Sequence, residues 1–265
     1  MTAPVTVFSA HLDDAVLSAS ARLMRPGTRS VTVFAGPPPA DLPLSGWGRI
    51  TRAASLGERH AERLAEDSRA MEGLDCPTIR LDLHEFEFRP NAMETVSFGP
   101  GGGKQEQTVS RVAEAVASLV EESSEIWIPA AVGRHLDHLA TRQGLLAAWR
   151  ALDARIPVRY YADQPYSTVY GWPGWMTGET EPRYFHTGTW LEHELTSCGL
   201  DPDGLVPVPE ELDPQSRRRK RRAVMTYQTQ LRGLCLGPDD DQRRRHVLSH
   251  ELSWRMAEHA QAECA

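Results

Sequence analysis

The sequence predicts an α/β protein: a Rossmann-like, mostly parallel sheet with helices on both faces and an elaborated C-terminal part. Three observations carry this expectation. Strand-like and helix-like segments alternate through the first 160 residues, and the residues able to do chemistry fall directly after strand-like segments. Beyond residue 162 the alternation gives way to a stretch rich in Pro, Gly and aromatic residues. Alternation of this kind yields a parallel sheet covered on both faces, with ligands bound outside the carboxyl ends of its strands.

Taken in order, residues 5–9 form a short β-prone run, and 15–24 read as a helix stopped by Pro26 and Gly27. Residues 30–35 are a second strand, 59–74 a helix, 78–83 a strand and 105–122 a helix. A fourth strand over 125–129, a helix over 139–152 and a fifth strand over 158–161 complete the alternation. Residues 163–188 have no lasting period and read as a long functional loop, followed by helices over 214–231 and 247–263. The whole length, 1–265, is expected to be one domain, with 1–162 as its core and 163–265 as loop and helical elaboration over the cleft.

Two motifs carry chemistry. Ala10-His11-Leu12-Asp13-Asp14 stands where the first strand ends and the first helix begins. His11 and Asp14 offer an imidazole and a carboxylate that a turn can fold onto one ion, leaving Asp13 free beside them; the plainer alternative is that an aspartate caps the helix. The second motif, Gly133-Arg134-His135-Leu136-Asp137-His138, follows the fourth strand. With strand order 3-2-1-4-5 the first and fourth strands are neighbours, and both motifs meet where the order reverses. His138 then completes two histidines and a carboxylate, leaving a position for water, as a catalytic zinc site requires.

On these residues the chain resembles the PIG-L/LmbE-like zinc de-N-acetylases. Their signature is a His-Pro-Asp-Asp type motif after the first strand and a Gly-x-His-x-Asp-His motif after a later one. Leu12 replaces the commoner proline, and Ala15 and Ala162 stand where glutamates are usual. Weaker correspondences are Arg63-Leu-Ala-Glu66-Asp67, Tyr161-Ala-Asp163-Gln-Pro165-Tyr166, and the set Lys220, Ala223, Tyr227, Gln230. The resemblance implies one metal ion held by His11, Asp14 and His138, with Asp13 as general base and His135 near the scissile carbonyl. Asp137 would orient a histidine from behind.

The expected reaction is therefore hydrolytic removal of an acetyl or other short acyl group from the amide nitrogen of an amino sugar. The sugar would belong to a small metabolite or a glycosylated natural product. An amide is a poor electrophile, so a metal must polarise it and activate water, with Asp13 taking the proton. Zn²⁺ is the expected ion, another divalent metal being possible. Arg63, Tyr166, Trp172 and Trp175 are the candidate substrate-binding residues, the aromatics because their faces stack on apolar ring surfaces. Rival readings are a thiol-conjugate amidase on the same scaffold and a non-catalytic metal- or ligand-binding α/β protein. The intact Asp13 speaks against the second, since a capture site needs no base.

A formal charge of −7 and a pI near 5.8 argue against nucleic acid or an anionic membrane as partner. A cytoplasmic location is expected, because no signal-like segment precedes the first motif. The four cysteines, Cys76, Cys198, Cys235 and Cys264, are far apart and read as free thiols. The basic run from Arg217 to Arg222 reads as a solvated helix face, and His246 with His250 lacks the glutamate of a His-Glu-x-x-His motif. The glycines at 99–103 read as a surface loop, and Asp239 to Asp241 as a solvated turn.

Overall fold

The computed structural model describes residues 2–89, 103–152, 156–237 and 239–257. Residues 99–102 of the expected glycine loop, Cys264 and residues 258–263 of the helix expected over 247–263 lie outside these residues. Among the described residues the centre is a seven-stranded sheet in the order β3-β2-β1-β4-β5-β7-β6. Its strands are β1 (Val5–Ser9), β2 (Thr28–Thr32), β3 (Thr78–Arg80), β4 (Glu125–Pro129), β5 (Val158–Tyr161), β6 (Leu205–Glu211) and β7 (His250–Met256). The first five are parallel in the order expected, and β7 and β6 extend the sheet antiparallel beyond β5.

Side chains on successive strand positions face opposite ways, and the central strands feed two separate cores. Phe8 and Tyr160 join Ile126, Ile128, Val112, Val116, Leu145 and Trp149 on one face, whereas Val7 and Tyr161 join Leu17, Leu23, Met71, Val224 and Tyr227 on the other. The first face is covered by α5 (Gly103–Glu121), α6 (Leu136–Arg150) and α8 (Thr187–Ser197). The second is covered by α1 (Asp14–Ser18), α2 (Ser20–Leu23), α4 (Leu56–Gly73), α9 (Pro214–Val224) and α11 (Asp241–Ser249). Helices α5 and α6 approach closely at Gly144, where a Cβ would lie 2.6 Å from Val112 Cγ1.

Several expectations are corrected. The helix expected over 15–24 is two short ones, broken at Ala19, whose φ of −140° and ψ of 29° leave the helical region. Residues 163–188 hold a 3₁₀ turn at Tyr166–Thr168 and the short helix α7 (Gly174–Thr177), and α8 begins at Thr187. The helix over 214–231 divides into α9 and α10 (Gln228–Leu231).

The helix expected from residue 247 ends at Ser249, and the chain then runs as β7, with Leu252, Trp254 and Met256 facing one core. That alternation is a period-2 signal, outweighed in the sequence by the helical pattern ahead of it. Strand β6 was not expected, and Pro207 and Pro209 are unusual within a strand. Both are tolerated because, among the described residues, β6 pairs on one side alone, with β7, so their missing N–H groups break no central ladder. Among the described residues no helix is long and apolar enough to cross a membrane.

Candidate metal centre and active site

The site forms where β1 and β4 end side by side. After Ser9 the chain turns through His11 and starts α1 at Asp14, with Asp13 at the N-cap position but making no side-chain cap bond. Asp14 folds back instead, its Oδ2 accepting from the His11 backbone N–H at 2.7 Å. The capping alternative therefore fails for both aspartates, and both carboxylates stay buried in the site.

After β4 the chain reverses through Ala131, Gly133 and Arg134, with φ of 64°, 87° and 55°. Left-handed backbone costs a non-glycine residue roughly 1–2 kcal/mol, so the turn is held by its surroundings. Val132 N–H donates to Asp163 Oδ2 at 3.0 Å, and the Tyr166 ring packs so close to Gly133 that a Cβ there would lie 2.7 Å from it. The turn delivers His135 as the cap of α6, its Nδ1 accepting from Asp137 N–H at 3.2 Å. His138 follows one turn into the helix, on its buried side.

His11 Nδ1 and His138 Nε2 lie 3.4 and 3.2 Å from Asp14 Oδ2. Ligands about 2.0–2.1 Å from a tetrahedral ion stand roughly 3.3–3.4 Å apart, so each of these two nitrogens stands at ligand spacing from that carboxylate oxygen. His138 Nε2 is buried, with Asp14 Oδ2 beside it at 3.2 Å as an ion-pair neighbour and not in a well-formed hydrogen bond. The nitrogens of His11, His135 and His138 also lie within 4.8 Å of one another, a looser set in which His135 would replace Asp14. The two sets share His11 and His138.

Carboxylates stand behind both histidines, as metal-binding imidazoles require. Asp137 Oδ2 takes His11 Nε2 at 2.9 Å and Phe86 N–H at 2.8 Å, while its other oxygen meets Arg89. Asp163 Oδ1 takes His138 Nδ1 at 2.7 Å. Asp163 was not among the expected site residues; its signals are its place just past β5, at the same sheet edge, and the Tyr161 to Tyr166 segment that resembles the family's.

The buried carboxylates set the protonation of the imidazoles. Burial works against a charged imidazolium at His138, yet Asp14 and Asp163 pull its pKa up to about 10. Burial likewise opposes charge on His11, but Asp137 and Asp14 hold it well above the usual histidine range. Burial, and then the neighbouring Asp14, raise Asp13 to about 6, near the range in which a carboxylate exchanges protons at neutral pH. Burial and the two other histidines push His135 down to about 3. It is neutral, and since its Nδ1 accepts a hydrogen bond, its proton sits on Nε2.

A cavity of about 270 Å³ opens over these groups, lined by His11, Asp13, Asp14, His135 and Asp137 together with Arg63, Glu85, Tyr166, Trp47, Phe86 and Gln230. Arg63 is buried, with Nη1 on Glu85 Oε1 at 2.6 Å and its Nε unpartnered. The two expected tryptophans are not in this lining. Trp172 is buried in the main core, its indole N–H donating to the His246 carbonyl at 2.9 Å. Trp175 is 54% exposed and lies against Gly188. Trp47 and Phe86 take the place expected of them. Their sequence signal is position alone: each lies in a segment that follows a strand at the sheet edge bearing the site.

No family model and no curated protein matches the sequence. Solved structures do match. The chain is similar to a deacetylase in complex with bog from the biosynthesis pathway of teicoplanin, at 23% identity and a TM-score of 0.72, covering 96% of this chain and 98% of that one. It is similar to the A40926 pseudoaglycone deacetylase Dbv21, at 24% identity and a TM-score of 0.67, covering 98% and 99%. The zinc-inhibited form of teicoplanin deacetylase Orf2 matches at 22% identity and a TM-score of 0.69, covering 96% and 98%. At such identities the likeness establishes the fold, and it does so over nearly the whole chain.

Proposed function

We propose that this chain, sharing the fold of those deacetylases, is a metal-dependent N-deacetylase of the PIG-L/LmbE type. Its substrate would be an N-acylated amino sugar of a small metabolite or glycosylated natural product. The observation that carries the reading is the convergence of His11 Nδ1, Asp14 Oδ2 and His138 Nε2, at 3.4 and 3.2 Å, beside the buried Asp13. The teicoplanin and A40926 pseudoaglycone deacetylases support the reaction and the substrate class.

His11, Asp14 and His138 would hold the ion, and a divalent metal there supplies polarisation of the amide carbonyl and a lowered pKa for the attacking water. Asp13 accepts the proton of that water and returns it to the departing nitrogen. His135, with its proton on Nε2, donates to the carbonyl oxygen as negative charge develops there. Arg63, anchored by Glu85 and lining the cavity, is the candidate contact for a substrate oxygen. Asp137 and Asp163 keep the two ligating imidazoles in the tautomers that leave His11 Nδ1 and His138 Nε2 free.

We assign zinc as the ion, because two imidazoles and a carboxylate suit it. The zinc-inhibited form of Orf2 supports zinc meeting this fold, in that protein with an inhibitory effect. The test is amine release from N-acetylated glycosides by the purified protein, with elemental analysis alongside. One ion per chain is expected, with turnover abolished by a chelator and restored by one equivalent of zinc. Turnover that survives complete removal of metal would refute the reading. Activity restored by manganese or cobalt and not by zinc would refute the choice of ion alone.

A further inference from the structure

Sixteen residues before Arg63 the chain makes a single helical turn, α3 (Gly46–Ile50), capped by Ser45 Oγ, which accepts from Gly48 N–H. Trp47 in this turn lines the same cavity as His11, Asp13 and His135. Its indole N–H is already committed, donating to Gln230 Oε1 at 2.7 Å, and Gln230 Nε2 in turn donates to Thr229 Oγ1. Thr229 is fixed by Glu66 of α4 through both its N–H and its hydroxyl. The benzo edge of the ring lies over Gly233, where a Cβ would come within 2.4 Å of Cη2.

Consequently Trp47 is fixed at its polar end by a hydrogen-bonded chain and along one edge by a residue with no side chain. It offers the cleft an apolar π surface with no polar atom left to satisfy. Phe86, Tyr166 and Leu234 extend that apolar wall, while Asp13, Glu85 and Glu87 line the cavity with carboxylates. A ring with an apolar face and polar edges fits between the two.

We propose that Trp47 is the specificity-determining residue of the cleft, a preset platform on which a ring of the substrate stacks, with Gly233 and Gln230 as its positioning residues. This rests on the deacetylase reading for the reaction it serves, but not for the binding itself. The probe is p-nitrophenyl N-acetyl-β-glucosaminide, with acetamide as the ringless control. Binding is measured by calorimetry in an Asp13→Asn background, and turnover by amine release in the otherwise native enzyme.

Trp47→Ala is expected to weaken binding of the glycoside and raise its KM by about 3- to 10-fold, the scale of one aromatic contact, with kcat within twofold. Trp47→Phe should restore most of the loss. Gly233→Ala should give a loss of the same kind, and adding it to Trp47→Ala should cost nothing more, because the ring it displaces is gone. Handling of acetamide should not change. Unaltered affinity in a Trp47→Ala protein that melts normally would overturn the proposal, as would a fall in kcat shared by glycoside and acetamide, or failure of the parent protein to bind the glycoside. If no probe releases amine while binding still depends on Trp47, the platform stands and the deacetylase reading falls.

Discussion

At the scale of single residues the proposed site separates into groups that would hold the ion, groups that would react and groups that orient. Asp13 is the test of that division, since it lies next to Asp14 in the chain and is proposed as a base and not as a ligand. Asp13→Asn is expected to keep its ion, by elemental analysis, and to lose kcat by about 100- to 10,000-fold, the usual worth of a general base. Near-native turnover would move the role of base elsewhere. The sequence made His11, Asp13, Asp14, His135 and His138 legible because each motif is compact and directly follows a strand. Asp163 and Glu85 were not legible in these roles, because each acts across the fold on a partner 25 or 22 residues away. Even within the Tyr161 to Tyr166 segment, Asp163 carries no mark of the side chain it will meet.

At the scale of elements the parallel strands were readable and the antiparallel ones were not. Val, Ile and Phe in β1 and β4 state their burial plainly, whereas β6 carries two prolines and β7 begins with His-Glu directly after a helix. The aromatic segment shows the same limit. Its composition suggested a substrate wall, yet Trp172 became part of the core when the chain folded through α7 toward α8. Replacing Trp172 by alanine is therefore expected to cost about 3–5 kcal/mol of stability, seen as a lower melting temperature, with KM unchanged in the protein that remains folded. A variant with native melting and a raised KM would return Trp172 to the cleft. Trp175, exposed and outside the cavity, serves as the neutral control.

At the scale of the whole molecule, the site joins both ends of the first half of the chain with segments from the second. His11 follows β1, His138 opens α6, Asp163 follows β5, and Gln230 comes from α10. An ion bound to this arrangement has no equivalent site in the unfolded chain, so it stabilises the fold by mass action, by about 2.7 kcal/mol at a hundred times its dissociation constant. Zinc should accordingly raise the melting temperature of chelator-treated protein by several degrees, and His138→Ala should abolish the shift. An equal shift in that variant would place the ion elsewhere. This readout is independent of any substrate.

The two outer strands bear on a different property. An unprotected sheet edge is a template for adding strands from other copies, and so for fibrils and precipitation. Here one border, β3, is three residues long, and the other, β6, has Pro207 and Pro209 at alternate positions, where no N–H exists to recruit a newcomer. Growth of the sheet from chain to chain is thus blocked at both borders by length and by proline. The aromatic and carboxylate groups gathered at its carboxyl edge can stay concentrated there without the sheet itself becoming a seed for aggregation.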